Sequence, residues 1–265
     1  MTLKEKYGSW ALITGASSGI GEGFAKRLAS ENMNLILVAR REERLKKLSD
    51  ELKEKYNVSI VIAPVDLSKE NFIEDLKKFV EDREVGMLIN NAGFGSAGEF
   101  ANSDVEQQAN MIRVNCIAPT ILTHRFVQPM KERKKGAIIF LGSLVAYQPT
   151  PLTTTYSATK AFNLFMSEGL WYELRDYDID VLALNPGGTD TEFQKKANTS
   201  SGPVSRTVEE VVSTAMKNLG KRISVVDGFY NKLLSFVPRI VTRKFIVRLA
   251  GGVRKKYYTS LSITK

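Results

Sequence analysis

The first 190 residues alternate between short apolar segments, rich in β-branched residues, and longer polar segments with helical spacing of their apolar residues. The apolar segments are predicted strands, at residues 10–14, 34–39, 59–63, 87–90, 137–141 and 180–184. Several are apolar nearly throughout, which indicates that both of their faces are buried. Strict alternation of such strands with helices predicts one α/β domain with a doubly wound parallel sheet.

The intervening segments carry helical patterns. Residues 42–56 place Leu45, Leu48 and Leu52 on one face, which predicts an amphipathic surface helix. Phe72 and Leu76 begin a similar pattern, for which Ser68 is a predicted cap. A long helix is expected over residues 105–130, and residues 195–206 have the composition of a loop that covers a site.

Composition excludes several kinds of protein. The 265 residues include one Cys and one His, so neither an intrachain disulfide nor a Cys/His zinc site is expected. The lone His124 has no nucleophile motif near it, which argues against a Ser-His-Asp hydrolase. The longest apolar runs fall far short of the ~20 residues that a membrane-spanning helix needs. Because the N-terminus also lacks an apolar signal core, a cytoplasmic location is predicted.

Charge is concentrated at the C-terminus. Residues 217–265 hold twelve Lys or Arg against one acid, a net +11, whereas residues 1–216 hold 26 basic and 28 acidic residues, a net −2. The basic residues of the tail are interleaved with apolar ones, and no nucleic-acid-binding motif is present. Binding to nucleic acid is therefore not expected.

A glycine-rich octapeptide joins the first predicted strand to a helix that should begin near Gly21: Thr14-Gly15-Ala16-Ser17-Ser18-Gly19-Ile20-Gly21. Glycine lets the backbone approach a phosphate, and a helix N-terminus presents N–H groups with a partial positive charge. The motif indicates a pyrophosphate-binding turn, although a simple Gly-rich turn is the alternative. It is not a P-loop, because no Gly-Lys-Ser/Thr follows.

Polar residues follow the later strands. Arg40 and Arg41 come after the second strand, where an acid would bind a ribose hydroxyl and an arginine accommodates a 2′-phosphate instead. Two solvated arginines are the alternative interpretation. Asp66-Leu67, the segment 90–93 and the segment 186–191 follow the third, fourth and sixth strands. Each lies at the carboxyl end of a strand, where doubly wound sheets hold ligands, but each alone is only a turn signal.

Tyr156 and Lys160 lie four residues apart, on one face of a predicted helix. About one such pair is expected by chance, so its chemistry is what makes it a candidate. An ammonium ~4 Å from a phenol, at an effective dielectric of ~20, would lower the phenol pKa by roughly three units. Ser143 should lie at the ligand edge of the sheet, unless it is only a turn or cap serine. Asn115, in an apolar helical stretch, could equally be a core amide with all its hydrogen bonds satisfied.

In this order along residues 8 to 191, the motifs resemble the short-chain dehydrogenase/reductase family. The resemblance implies a seven-stranded Rossmann-type sheet and hydride transfer between a nicotinamide and a carbonyl or alcohol. It implies that Tyr156 is the general acid/base, that Lys160 lowers its pKa, that Ser143 polarises the substrate oxygen and that Asn115 holds a relay water. The implied cofactor-binding residues are Gly15, Ser17, Ser18, Gly19, Ile20, Arg40, Asp66, Leu67, Asn91, Ala92, Gly93, Tyr156, Lys160, Pro186, Gly187, Thr189 and Thr191.

Further expectations follow from the same resemblance. Arg40 fits members that prefer NADP, and the chain looks similar to bacterial 3-oxoacyl and 17β-hydroxysteroid reductases, which implies an apolar ketone or 3-oxoacyl substrate. A homodimer or homotetramer is expected. The alternative is an NADP-binding scaffold or sensor without turnover, which the intact set of Ser143, Tyr156 and Lys160 argues against.

The tail is where the family pattern says least. Residues 1–228 are predicted to form the cofactor-binding domain, and residues 229–265 a basic amphipathic extension on or near the substrate cleft. Pro238 should interrupt its helix, and Val241, Phe245 and Leu249 recur at helical spacing after it. Three interpretations stay open: a packed helix with solvated charges, contact with an anionic membrane surface, or a basic mouth for an anionic acyl substrate.

Overall fold

Seven parallel strands form the central sheet of the computed structural model, which describes residues 1–193 and 205–263. The strands are β1 (Trp10–Thr14), β2 (Asn34–Val38), β3 (Ile60–Ala63), β4 (Val85–Asn90), β5 (Gly136–Leu141), β6 (Ile179–Asn185) and β9 (Ser224–Val226). Their order in the sheet is β3-β2-β1-β4-β5-β6-β9, and β7 (Gly188–Thr189) pairs separately with β8 (Ser205–Arg206). The doubly wound α/β prediction is confirmed, and the ends of all six predicted strands agree with the structure within two residues.

The continuous apolar strands are buried on both faces, as their sequences predict. Every residue of β4 and β5 is buried. Successive side chains of a strand point to opposite faces, so Leu12 joins one core cluster and Ile13 the other. The cluster of Ile13 includes Phe24, and that of Leu12 includes Phe126. Helices therefore cover both faces and leave the carboxyl ends of the strands open for a site.

The helices follow the strands in the expected alternation. They are α1 (Leu3–Tyr7), α2 (Gly19–Ser30), α3 (Glu42–Lys55), α4 (Phe72–Val80), α5 (Val105–Ile112), α6 (Ala118–Arg133), α7 (Thr154–Leu174), α8 (Val208–Asn218), α9 (Phe229–Phe236) and α10 (Arg243–Ile263). Leu45, Leu48 and Leu52 are buried on α3, as predicted. The predicted cap at Ser68 is wrong, because Asn71 precedes α4 and Ser68 instead bonds to Asp66.

The long helix predicted over residues 105–130 is not regular. α5 and α6 are joined by a π-helical turn, Arg113–Ile117, and α6 continues to Arg133. A π-turn adds one residue to the backbone repeat and so changes the directions of the side chains that follow it. Asn115 lies in this turn, and His124 is exposed on α6.

The extension begins after a buried ion pair. Asp227 is fully buried, and its carboxylate accepts hydrogen bonds from the Arg206 guanidinium at 3.0 and 3.3 Å and from the Thr214 hydroxyl at 2.6 Å. The Asn231 side chain then donates to the Asp227 carbonyl at 2.8 Å. These bonds attach α9 to the end of β9.

Pro238 does interrupt the tail, since α9 ends at Phe236 and α10 begins at Arg243. The predicted apolar stripe through Phe245 and Leu249 does not become the buried face: Ile246 and Ala250 are buried, and Phe245 and Leu249 stay exposed. Of the predicted covering loop at 195–206, only the last two residues lie within the described ranges. No helix among residues 1–193 and 205–263 is both long enough and apolar enough to cross a membrane.

Candidate active site

A cleft of about 1110 Å³ opens at the carboxyl ends of the sheet strands. All seventeen cofactor-binding candidates line it, as does Ser143. Asn115 does not line it. The β-α turns that carried separate weak signals in the sequence therefore converge on one space, because parallel strands present their carboxyl ends at the same edge.

The glycine-rich turn fits a phosphate group. Gly15 and Gly19 have φ values of +67° and +58°, and a Cβ on Gly15 would lie 2.9 Å from the Cα of Ala92. Ser18 is the N-cap of α2 but makes no side-chain capping bond, so the first-turn N–H groups of the helix need another acceptor. A pyrophosphate is such an acceptor, and the positive end of the helix favours it.

Asn91 serves the turn rather than facing only the ligand. Its side-chain amide donates to the Thr14 carbonyl at 2.8 Å, and its backbone N–H donates to the Thr14 hydroxyl at 3.0 Å. The N–H of Ala92 donates to the same hydroxyl at 2.9 Å. These bonds join the ends of β1 and β4 and hold Gly15 in place.

Arg41 contacts the glycine-rich turn directly, which the sequence had not indicated. Its guanidinium donates to the hydroxyls of Ser17 at 3.1 Å and Ser18 at 2.8 Å, and it pairs with Glu192 at 3.1 Å. Arg40, chosen from the sequence, also lines the cleft but is exposed. Both arginines therefore present positive charge where β2 ends.

Asp66 carries a well-supported carboxylate. Burial raises its pKa, but the Ser68 N–H at 3.0 Å and hydroxyl at 2.8 Å, together with the charges of Arg40 and Lys69, lower the pKa overall. The group is therefore ionised at neutral pH and can accept a hydrogen bond from a ligand amine in the cleft.

Ser143 is positioned by β6 as well as by its own strand. Its backbone N–H donates to Oδ1 of Asn185 at 3.2 Å, and the Leu144 N–H donates to the Pro186 carbonyl at 2.8 Å. A Cβ on Gly142 would overlap Oδ1 of Asn185, so this strand end requires glycine. Asn185 is fully buried and was not anticipated, because an Asn at a strand end gives no signal beyond a turn.

Tyr156 and Lys160 lie on the wall of the cleft formed by α7. The Lys160 ammonium is buried, donates to the Leu141 carbonyl at 2.7 Å and lies 5.7 Å from the centroid of the Tyr156 ring. Phe193 packs against that ring with centroids 5.5 Å apart. A Cβ on Gly93 would lie 3.6 Å from Nζ of Lys160, so glycine keeps the ammonium accessible from the cleft.

The expected fall in the Tyr156 pKa does not occur in the chain alone. Burial raises the pKa of the phenol to about 12, and the opposing effects come from the Ser143 hydroxyl and the Arg254 charge. Burial also lowers the pKa of Lys160 to about 8. The spacing rule assumed a charged lysine ~4 Å away, whereas the same burial that brings the two groups together weakens the lysine charge.

Asn115 is paired with protein groups. Its Oδ1 accepts from the Phe94 N–H at 3.1 Å, and its Nδ2 donates to the Phe94 carbonyl at 2.9 Å and to the Thr159 hydroxyl at 3.0 Å. The π-turn directs the amide towards these partners. Asn115 thus links α7 to the loop after β4, and its role as a water holder stays a prediction.

The far side of the cleft comes from the C-terminal extension. Its contributions are the side chains of Tyr230, Asn231, Leu234, Val237, Ile246, Leu249, Val253 and Arg254. Apolar periodicity in the tail predicted helices there. It could not show which helical face lines the cleft, since that depends on how α9 and α10 pack on the domain.

Comparison with known proteins decides the family. The short chain dehydrogenase model matches residues 9–202. The chain belongs to the short-chain dehydrogenase/reductase family. It is 34% identical to a 7beta-hydroxysteroid dehydrogenase of Mediterraneibacter gnavus, over 88% of this chain and 90% of that one. It is 30% identical to a very-long-chain 3-oxoacyl-CoA reductase of Rattus norvegicus, over 95% and 83% of the two chains.

A solved relative carries a cofactor. The structure of a short-chain dehydrogenase from Sphingobium yanoikuyae in complex with NADPH superposes with a TM-score of 0.77 at 35% identity, covering 83% of this chain and 87% of that one. The protein is therefore an oxidoreductase that binds NAD(P) and acts on CH–OH or C=O groups. The described residues contain no cluster of three or more His, Cys, Asp or Glu that could hold a metal ion.

Proposed function

We propose that the protein is an NADPH-dependent reductase of bulky apolar carbonyl compounds, of the ketosteroid or 3-oxoacyl type, with Tyr156 as the proton donor. The observation that carries the proposal is the convergence of Ser143, Tyr156 and Lys160 in a cleft that also holds all the cofactor-binding candidates. A cytoplasmic location is part of this proposal.

The raised pKa of Tyr156 favours the direction of reduction. With a pKa of about 12 the phenol is protonated at neutral pH, as a proton donor must be. A bound nicotinamide supplies the hydride. The Ser143 hydroxyl donates to the carbonyl oxygen and orients it, and Tyr156 gives its proton to that oxygen as charge develops there. The Lys160 ammonium then stabilises the phenolate until solvent returns the proton.

The cleft walls support an apolar substrate. Leu144, Val145 and Phe193 line one part of the cleft, and the extension adds a second apolar wall. Such a cavity rewards a ligand with a large apolar body and one polar reacting group. The relatives named for hydroxysteroids and for long 3-oxoacyl chains act on substrates of that description.

A screen of NADPH oxidation over ketosteroids, 3-oxoacyl thioesters, aldehydes and aromatic ketones tests this function. Tyr156→Phe should lower kcat by about 10²–10⁴-fold and leave the Kd for NADPH nearly unchanged, because only the phenolic proton is lost. Tyr230→Phe makes the same change elsewhere in the cleft and should keep its activity. Tight NADPH binding with no turnover of any carbonyl would favour the scaffold alternative.

We attribute the preference for NADPH over NADH to the arginines after β2. Arg40→Ala should weaken NADPH binding by about 1.5–3 kcal/mol, the range for charged hydrogen bonds, and leave NADH binding nearly unchanged. Arg41→Ala should weaken both cofactors, because Arg41 holds Ser17 and Ser18 of the shared pyrophosphate turn. Equal Kd values for the two cofactors in the wild type would contradict the proposal.

We also assign a homo-oligomer, dimer or tetramer, to this function. The exposed large apolar side chains from the π-turn to the end of α7 support it: Ile117, Phe162, Phe165, Trp171 and Tyr172. Light scattering should give two or four times the 29.6 kDa of one chain, and Phe165→Asp should lower that mass. A wild-type mass near 30 kDa at micromolar concentration would contradict it.

A further inference from the structure

The C-terminal extension exposes a second group of apolar side chains, which we call the apolar lip. Its members are Phe229, Tyr230, Leu233, Leu234, Phe236, Ile240, Phe245, Leu249 and Val253. Phe229 is 87% exposed, Ile240 69% and Phe245 54%. Scattered exposed apolar residues are ordinary, but nine within 25 residues on two neighbouring helices mark an interaction surface.

The apolar lip is not part of the core of the domain. Ile246 and Ala250 make the buried contacts of α10, and Asn231 is the buried residue of α9. A Cβ on Gly251 would lie 3.2 Å from Pro151, which shows how closely that side of α10 approaches the domain. The helices are therefore attached through small or polar positions, and their large apolar side chains point elsewhere.

Positive charge surrounds the apolar lip. Lys232, Arg239, Arg243, Lys244 and Arg248 are all exposed. The sequence contains no Asp or Glu after Asp227. A helix pair with exposed large apolar side chains and only basic charges fits the interface of an anionic bilayer, where apolar groups enter the headgroup region and Lys or Arg meet lipid phosphates.

A second copy of the chain fits this surface poorly. Twofold packing brings the same patch of both subunits together, so basic residues would face basic residues without an acid to pair with them. The uncharged apolar face around Phe162 and Phe165 suits self-association better, because it lacks this repulsion.

The apolar lip is continuous with the substrate cleft. Tyr230, Leu234, Leu249 and Val253 are exposed and also line the cleft. We propose that the apolar lip docks the protein in the plane of an anionic membrane surface, so that the mouth of the cleft opens towards the lipid. An apolar substrate dissolved in the bilayer would then reach the cleft without crossing water.

Vesicle co-sedimentation of the full chain tests the docking without reference to catalysis. The wild type should sediment with phosphatidylcholine vesicles that contain about 30% phosphatidylglycerol, at about 0.1 M salt, and much less with phosphatidylcholine alone. Salt of about 1 M should release most of the protein, since the Debye length falls to about 3 Å. Absence of sedimentation at low salt would overturn the proposal, whatever the enzyme reduces.

Two double variants separate the contributions. Arg239→Glu/Arg243→Glu should weaken binding by about tenfold or more, and Phe229→Ser/Phe245→Ser should weaken it at both salt concentrations. None of these four residues lines the cleft, so reduction of a small water-soluble ketone should be unchanged. Lys47→Glu/Lys53→Glu, on exposed positions of α3, changes the net charge equally and should bind as the wild type does.

The controls also identify the other occupants. Equal loss of binding in the α3 variant would show that net charge alone acts, and would overturn the proposal. A fall in oligomeric mass in either extension variant would assign the apolar lip to contact between copies, and would overturn it too. A decrease in KM for a bulky apolar ketone on adding anionic vesicles, lost in both extension variants, would support delivery of substrate through the lip.

Discussion

The buried ammonium of Lys160 should make the stability of the cofactor-free protein increase at alkaline pH. Its pKa falls from 10.5 to about 8 because burial disfavours the charged form. Between these values the unfolded chain binds a proton that the folded chain does not, so the free energy of unfolding rises with pH. The lysine contribution is fully present above pH 10.5 and is lost as the pH falls through about 8.

The size of the effect follows from the two pKa values. Integrating the difference in bound protons from pH 8 to pH 10 gives about 2 kcal/mol, at 1.36 kcal/mol per pKa unit. The window stops at pH 10 because Tyr156 acts in the opposite sense beyond it. Its raised pKa of about 12 makes the folded state retain a proton that the unfolded state loses.

Urea unfolding of the wild type and of Lys160→Met, measured across this pH window, isolates the lysine. Methionine keeps much of the side-chain volume, and loss of the bond to the Leu141 carbonyl adds an offset that does not vary with pH. The difference in unfolding free energy should change by about 2 kcal/mol in favour of the wild type as pH rises. Lys53→Met, at an exposed position, is the control and should follow the wild type. A difference between wild type and Lys160→Met that stays constant from pH 8 to pH 10 would refute the reasoning.

Two further variants test the supports of the site. Gly142→Ala should cost about 1–3 kcal/mol and reduce kcat, because the new methyl displaces Asn185, the acceptor of the Ser143 N–H; an unchanged urea midpoint would contradict this. Asp227→Asn should cost about 3 kcal/mol, because it leaves the Arg206 guanidinium without its buried carboxylate. That variant should also loosen the attachment of the extension, seen as faster hydrogen exchange in α9, and wild-type exchange there would count against it.

The sequence predicted the fold well where the signal was local. Residues 34–38 and 136–141 carry their own evidence of burial on both faces, and a parallel sheet fixes the edge at which their following turns meet. The candidates from Gly15 to Thr191 therefore line one cleft although they come from five separate turns. Position along the chain was enough for this, because the connection rules of α/β sheets leave few arrangements.

Features that depend on packing between elements were not predicted. β2 ends at Val38, one residue earlier than expected, and Arg41 becomes the N-cap of α3 in contact with Ser17 and Ser18. The π-turn around Asn115 has no composition of its own. On α10 the periodicity that includes Phe245 predicts a helix correctly, but the buried face depends on the shape of the surface beneath it.

The Tyr156 and Lys160 pair shows the same division at the level of chemistry. The spacing of four identified two groups that would share a helix face, and the structure places them on one wall of the cleft. The direction of their pKa changes depends on solvent exclusion, which is a property of the folded environment and not of the spacing. Burial acts against charge on both groups, so it raises the phenol pKa and lowers the ammonium pKa together. At neutral pH such a pair favours a protonated phenol, which suits delivery of a proton to a carbonyl oxygen better than removal of one from an alcohol.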